Sequence, residues 1–383
     1  MKFLLFFSLL ILSVSLALPK SSFGQDPTYS QFNLNQLYYN PAYTGYHYGY
    51  QVTATYRTLW PNVRGKQFPG PLSTYHAWFD GFINIKNAFY AGVGVFAMQD
   101  IEGEGHLTTS SIGISYAQHL PKIGYKSDLS PRIRLSLGFK AYFNSIFIDW
   151  DRLVFTDQLN VDYGITGSSA FSHHGTFRKN YFDFDAGLLL LNNFMGKDKW
   201  YNELGFAMAH ILAPSISLTG STEDRTRLPR KYVLSYRSTV GLAKGKLFTG
   251  PTILFENQKD FFELNVGLDF FVKPKLNTPV VPLNISIMNR LSIIQGKINT
   301  SAIMIGLTHK GLLGKKNAPI YSIGIAADFP YMGLGMQTAG AYELTIGIII
   351  PPKGSNGYSS CPYSTFDHVR TVNNVYRGKG TNR

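Results

Sequence analysis

The sequence predicts an all-β fold, a transmembrane antiparallel β-barrel of about 14 strands, a number typical of the class. Three observations lead there. Segment after segment alternates apolar and polar residues, and in a strand successive side chains point to opposite faces. The 383 residues include 24 Tyr, 28 Phe and 37 Gly with only 15% charged residues, against about 25% in a soluble domain. Beyond the N-terminus no apolar run reaches the roughly 18 residues of a membrane helix, and mean hydropathy is only −0.05. Apolar side chains spread over alternate positions satisfy all three. A soluble sandwich gives similar alternation but does not account for the low charge.

Residues 1–24 read as a secretory signal: Lys2, an apolar stretch Phe3–Leu18, then Ser22 and Gly24 as a small-x-small site before Gln25. No cysteine follows the apolar stretch, so no lipid anchor is expected. Removing Lys2 and Lys20 lowers the formal charge from +13 to about +11 by simple charge counting. Residues 25–47, rich in Asn, Gln and Tyr, lack strand or helix periodicity and carry the turn signals Asn40-Pro41 and Thr44-Gly45. This N-terminal segment is expected to be periplasmic or tucked into the barrel mouth as a plug, because Phe32, Leu34, Leu37 and its tyrosines need cover.

The barrel is expected over residues 48–350. Tyr48–Thr58 opens the alternation, with Gln51, Thr53, Thr55 and Arg57 on the polar parity; Ser73–Asp80 follows. Ala88–Met98 is apolar on both parities, so its facing is ambiguous, and Thr108–Gln118 returns to pattern. Arg132–Asn144 (RIRLSLGFKAYFN) is the clearest crossing: Ile133, Leu135, Leu137, Phe139, Ala141 and Phe143 against Arg132, Arg134, Lys140 and Tyr142. Tyr181–Leu190 sets its phenylalanines and leucines against Asp183 and Asp185; Asn202–His210 carries Glu203, and Lys231–Val240 carries Arg237. Pro251–Asn257 is short. Phe262–Phe270 opposes Glu263 and Asp269 to Phe262, Leu264, Val266, Leu268 and Phe270. Leu283–Arg290, Thr300–Thr308 and Ile320–Phe329 are weaker candidates, and Tyr342–Ile350 is the last.

Three of the longest connections, near Leu59–Leu72, Ser145–Asn180 and Ile211–Arg230, fall at one end, the usual asymmetry of long exterior loops and short inner turns. Pro351-Pro352 stops the final strand. Residues 351–383 read as a flexible, basic periplasmic tail in which Asp367 is the only acidic residue.

The single cysteine, Cys361, excludes an internal disulfide and a cysteine-built metal site. Asp149, Asp151, Asp157 and Asp162 hint at calcium, but Leu153 and Val154 stand where that loop needs a ligand and a glycine; a locally hydrogen-bonded loop is expected. Adjacent His173 and His174 do not present both rings to one ion. No Ser/His pairing or phosphate loop supports an enzyme, so no catalytic, cofactor or metal residues are assigned. The positive charge suits anionic head groups or an acidic partner; an exported chain without a Lys/Arg block is not expected to bind nucleic acid. Arg132, Arg134, Lys140, Asp183, Asp185, Glu203, Arg237, Glu263 and Asp269 are assigned to the lumen. They form an ion-pair network that fills and rigidifies the barrel, or else a polar channel or cradle.

Several stretches resemble the PorP/SprF family of outer-membrane proteins of the type IX secretion and gliding systems of Bacteroidetes-type bacteria. QDPTYSQF…NQLYYNPAYTG at Gln25–Gly45 is the most specific. YRTLWP at Tyr56–Pro61, FPGPLSTYHAWFD at Phe68–Asp80, IDWDRLVFTDQLN at Ile148–Asn160 and HILAPSISL…RLPRKY from His210 to Tyr232 follow. ENQKDFFELNVGL at Glu256–Leu268 and YELTIG at Tyr342–Gly347 complete the order. The chain departs from the pattern after Cys361-Pro362. The resemblance implies a non-catalytic outer-membrane barrel that binds periplasmic secretion components and assists secretion or anchoring of a surface protein such as an adhesin. A passive diffusion pore for a small solute is the alternative. The residues expected to contact partners are Gln25, Tyr29, Asn40, Pro41, Trp60 and Arg64.

Overall fold

Fourteen antiparallel strands close into a barrel in a computed structural model that describes residues 26–47, 49–62, 72–85, 89–120, 132–160, 162, 164–165, 167, 169–170, 175–193, 200–218, 227–242, 247–272, 283–292, 297–310, 319–330 and 335–350. The strands are β1 (Tyr50–Leu59), β2 (Leu72–Ile85), β3 (Phe89–Glu102), β4 (Leu107–His119) and β5 (Arg132–Asp149). A two-stranded ribbon, β6 (Leu159–Asn160) with β7 (Gly164–Ile165), lies in the connection that follows β5. The wall continues through β8 (Thr176–Asn193), β9 (Trp200–Ala209), β10 (Lys231–Leu242), β11 (Leu247–Gln258) and β12 (Phe261–Val272). It ends with β13 (Leu283–Ser292), β14 (Lys297–Lys310), β15 (Ile320–Pro330) and β16 (Ala341–Ile350).

Each wall strand pairs with its sequence neighbours in the wall, and β1 pairs with β16 from Tyr50↔Ile350 to Leu59↔Ala341. Closure matters because lipid offers no hydrogen bonds to an open sheet edge. All fourteen expected strands are present. The ambiguous third strand is settled by burial: Val93 and Val95 face outward, while Gly92, Gly94 and Phe96 face the lumen.

The outward parity forms an apolar belt. Ile112, Ile114, Phe184, Leu268, Ile325 and Ile346 are among its exposed members, and charged side chains are absent from its middle among the described residues. Tyrosines flank it. Tyr50, Tyr116 and Tyr321 stand toward the end where both wall termini lie, and Tyr56, Tyr75, Tyr232 and Tyr342 stand toward the other, hereafter the loop end. Aromatic girdles at both interfaces are the signature of a membrane barrel.

The expected loop Ser145–Asn180 is shorter than the sequence suggested. β5 and β8 each run 18 residues and pair from Arg132↔Asn193 to Asp149↔Thr176. At about 3.3 Å per residue that is roughly 60 Å of strand, about twice what crossing requires. Ile146 and Ile148 stay buried on the lumen parity, so the alternation continues past Asn144 and the hairpin stands above the belt.

Ile346, at the middle of β16 and paired with Ala54 and Ile323, tests the belt. Ile346→Arg is expected to cost about 2–4 kcal/mol, the range for a cation near the bilayer midplane, read from guanidine unfolding out of lipid vesicles. Ile346→Leu is expected to change little.

Candidate functional site

The lumen is occupied by the N-terminal segment. Asp26 lies at the loop end, where its N–H donates to Gln258 Oε1 at 3.1 Å. The chain then runs the length of the barrel to Gly49, beside Ile350. A short helix at Gln36–Tyr39 and a 3₁₀ turn at Pro41–Tyr43 compact it. The turn starts where Asn40 and Pro41 dictate: Pro supplies the φ of a first helical residue, and Asn40 Oδ1 accepts from Ala42 N at 2.9 Å. Tyr29, Ala42, Thr44 and Tyr46 are all 1% exposed or less.

Glycines on the lumen parity let this backbone touch the wall. A Cβ on Gly138 would lie 2.1 Å from Ala42 N, and one on Gly92 would lie 1.9 Å from the Thr44 carbonyl oxygen. These are close approaches that only glycine allows. Asn40 Nδ2 donates to the Leu188 carbonyl at 2.9 Å, and Gly187 beside it leaves room for the Asn40 amide.

The wall's carboxylates complete the attachment. Glu343 accepts the backbone N–H of Ser30 (2.6 Å) and Gln31 (2.9 Å); Asp80 accepts that of Gly45 at 2.7 Å. Asn33 donates to Asp269 at 2.9 Å and Tyr46 to Glu203 at 2.8 Å. His119 joins the Thr44 carbonyl to Ser136 at 2.8 and 2.7 Å. The bonds to an ionised carboxylate are charge-assisted and roughly twice as strong as neutral ones.

Glu343, Glu203 and other lumen carboxylates pair with wall cations, several directly across a strand boundary. Lys140 and Asp185 are register partners 2.7 Å apart, Arg237 and Glu203 are register partners at 2.5 Å, and Arg57 bonds its partner Glu343. Arg290 links Glu263 (3.1 Å) to Asp328 (3.7 Å). Glu256 and Glu263 face each other across the β11–β12 boundary, with Lys231 near the first and Arg290 on the second. Opposite charges placed this way offset the cost of desolvation that an isolated buried charge would incur.

At the loop end, β9 stops at Ala209 and His210 takes φ +57°, turning its ring inward. Its Nδ1 reaches Asp183 and its Nε2 reaches Asp26, both at 2.7 Å. Two donors require an imidazolium. Burial would lower its pKa, but the Asp26 carboxylate, aided by Asp183 and Asp185, pushes it up to about 10. Burial would likewise raise the Asp26 carboxyl, yet His210 holds it well below the usual carboxylate range.

Arg134, Lys140, Asp183, Asp185, Glu203, Arg237, Glu263 and Asp269 all face the lumen and are buried; the Arg132 side chain lies outside the described residues. Tyr29, Asn40 and Pro41, expected to contact partners, are buried in the segment against the chain's own wall. Trp60 is 40% exposed at the loop end, its backbone N–H donating to the Gly340 carbonyl at 2.7 Å. Gln25 and Arg64, and also His173 and His174, lie outside the described residues.

Arg57, Glu343, Asp328, Arg290, His119 and His210 escaped the sequence reading as site residues. Arg57 and Glu343 sat on recognised polar parities, but only barrel closure makes them neighbours. In the β5–β8 connection Asp149 pairs with Arg152 (3.2 Å), Asp151 accepts from Gly175 N (3.0 Å) and Asp157 accepts from Ala170 N (2.6 Å). Among the described residues no group of three His, Cys, Asp or Glu could hold a metal ion.

Two outcomes test this plug. Gly138→Ala is expected to displace Ala42 and destabilise the barrel by about 1–3 kcal/mol, the usual range for overpacking, read as a lowered thermal midpoint. Gly306→Ala, whose Cβ meets nothing closer than 3.5 Å, is the matched control. The His210 latch predicts a pH dependence. A raised His pKa contributes fully below 6.5 and loses that contribution as pH climbs through about 10. A lowered Asp26 pKa contributes above 3.8 and loses it as pH falls further. The thermal midpoint should therefore be highest between about pH 4 and 6.5 and decline toward pH 10, and His210→Gln should flatten that alkaline decline.

The family model for the type IX secretion system membrane protein PorP/SprF matches residues 21–348. No curated protein matches the chain. Solved barrels do, at low identity. The Ralstonia pickettii toluene transporter TbuX is 10% identical, with 83% of this chain and 93% of that one covered at TM-score 0.46. A Pseudomonas aeruginosa FadL homologue is 11% identical, with 86% and 95% covered at TM-score 0.39. The β domain of the Bordetella autotransporter BrkA is also 11% identical, with 79% and 99% covered at TM-score 0.33. With its family model spanning nearly the whole wall and the segment inside it, this outer-membrane chain belongs to the type IX secretion PorP/SprF family.

Proposed function

We propose that the protein is a non-catalytic, non-conducting barrel that serves type IX secretion by binding. The observation that carries this reading is the lumen filled from Asp26 to His47 by hydrogen-bonded chain. A diffusion pore needs an open path, and here the path is taken by a segment fixed at both ends. In the proposed orientation the wall termini, the inner turns and the basic tail 351–383 face the periplasm and meet secretion components. The loop end then faces outward. The tall β5–β8 hairpin and the rim at Trp60 receive an exported surface protein there.

Two measurements test this. Purified protein in planar bilayers is expected to show no steady conductance, and a stable ohmic channel would favour the pore. Quantitative surface proteomics of a deletion strain is expected to show loss of one or a few exported proteins. An unchanged exported set would overturn the secretion role.

A further inference from the structure

At the loop end, a cavity of about 190 Å³ opens between the N-terminal segment and the wall formed by β2 to β5 and β8 to β10. It exceeds the roughly 150 Å³ engineered cavity known to accept benzene, so it holds a side chain as well as water. Leu37, Tyr38, Phe96, Leu107, Tyr142 and Ile146 give it apolar and aromatic walls.

Its charges are not balanced. Three cations border it, and each has its own carboxylate: Lys140 with Asp185, Lys231 with Glu256, and His210 with Asp26 and Asp183. Asp100 and Glu102, two apart on β3 and so on one face, have no ion pair among the described residues. Asp100 Oδ1 accepts the Thr74 hydroxyl at 2.6 Å, and the two carboxyl groups hydrogen-bond each other by sharing a proton, so the pair keeps a net negative charge with no cation on it among those residues.

Two further groups point to a ligand independently of that pair. His76 is 3% exposed and Asn144 is 2% exposed, both line the cavity, and His76 Nδ1 and Asn144 Nδ2 have no hydrogen-bond partner. Ser111 donates to Asn144 Oδ1, which leaves the amide N–H₂ as the free donor. Leaving such buried polar groups unpaired is costly, and a ligand that pairs them recovers that cost.

A ligand that answers all of these has a cationic donor for Asp100, Glu102 and His76, an apolar stem for the aromatic walls, and a carbonyl for Asn144. We propose that this cavity binds a lysine side chain of an extended peptide, its ammonium on the Asp100–Glu102 pair and a neighbouring peptide carbonyl on Asn144. The proposal deepens the secretion reading, on which it rests for the source of the peptide: the lysine belongs to the exported chain received at the loop end.

Isothermal titration of the full-length protein in nanodiscs tests it. The probes are acetyl-Gly-Lys-Gly-amide, the same peptide with norleucine in place of lysine, and n-butylammonium. The lysyl peptide is expected to bind at least tenfold more tightly than either control. Asp100→Asn with Glu102→Gln is expected to weaken it at least tenfold, as is Leu107→Trp, which fills the mouth. Equal binding of the norleucine peptide to the unaltered protein overturns the ammonium site whatever the variants do. Equal binding of butylammonium overturns the peptide assignment. Because these titrations contain no secretion machinery, their failure is separate from an unchanged surface proteome, which would sink the secretion role and leave the cavity chemistry standing.

Discussion

The structure depends on matching buried charge in the lumen. A wall that alternates apolar and polar residues sends its apolar half into lipid and its charged half inward, where water is scarce once a segment fills the space. Glu343, Glu203 and Asp269 are tolerable there because each accepts from the segment as well as from the wall, and Asp80 because it accepts from the segment. The wall and the segment are therefore one cooperative unit. Removing the segment would strip several buried carboxylates of a partner at once, which is far more costly than losing surface ion pairs.

That coupling explains the unusual glycine use on the lumen parity. Hydrogen bonds from backbone N–H groups to wall carboxylates require the two backbones to lie close, and Gly92, Gly138 and Gly187 remove the side chains that would hold them apart. Gly, Asn and Pro, which look like loop residues in a linear reading, here belong to an interior packing surface. The attachment also has a direction. The segment is fastened by Glu343 and His210 near the loop end and by Asp80 and His119 near the other, so both ends of the plug are held.

The wall and the plug differ in how much of them the linear sequence discloses. Strand positions are local: a period of two along Phe262–Phe270 or Tyr342–Ile350 reports which face meets lipid without reference to anything distant. The lumen assignment of Lys140, Asp185 and Arg237 follows from the same parity. The height of the β5–β8 hairpin was not legible, because Ser145 and Asn180 look polar enough to begin loops although their strands continue. The plug residues were visible only as a segment needing cover, and the packing of Tyr29, Asn40 and Pro41 against the chain's own wall was not visible.

By itself the sequence determined an alternating chain whose low charge, tyrosines and lack of a long apolar run require closure in lipid, and it marked the charges that turn inward. Only the tertiary structure decided which of those charges meet. Arg57 and Glu343 lie at opposite ends of the chain and become neighbours through the β1–β16 seam. Asp26 and His210 become neighbours because the N-terminal segment threads the lumen. Such contacts arise from ring closure and from filling an interior, and a local period carries no information about either.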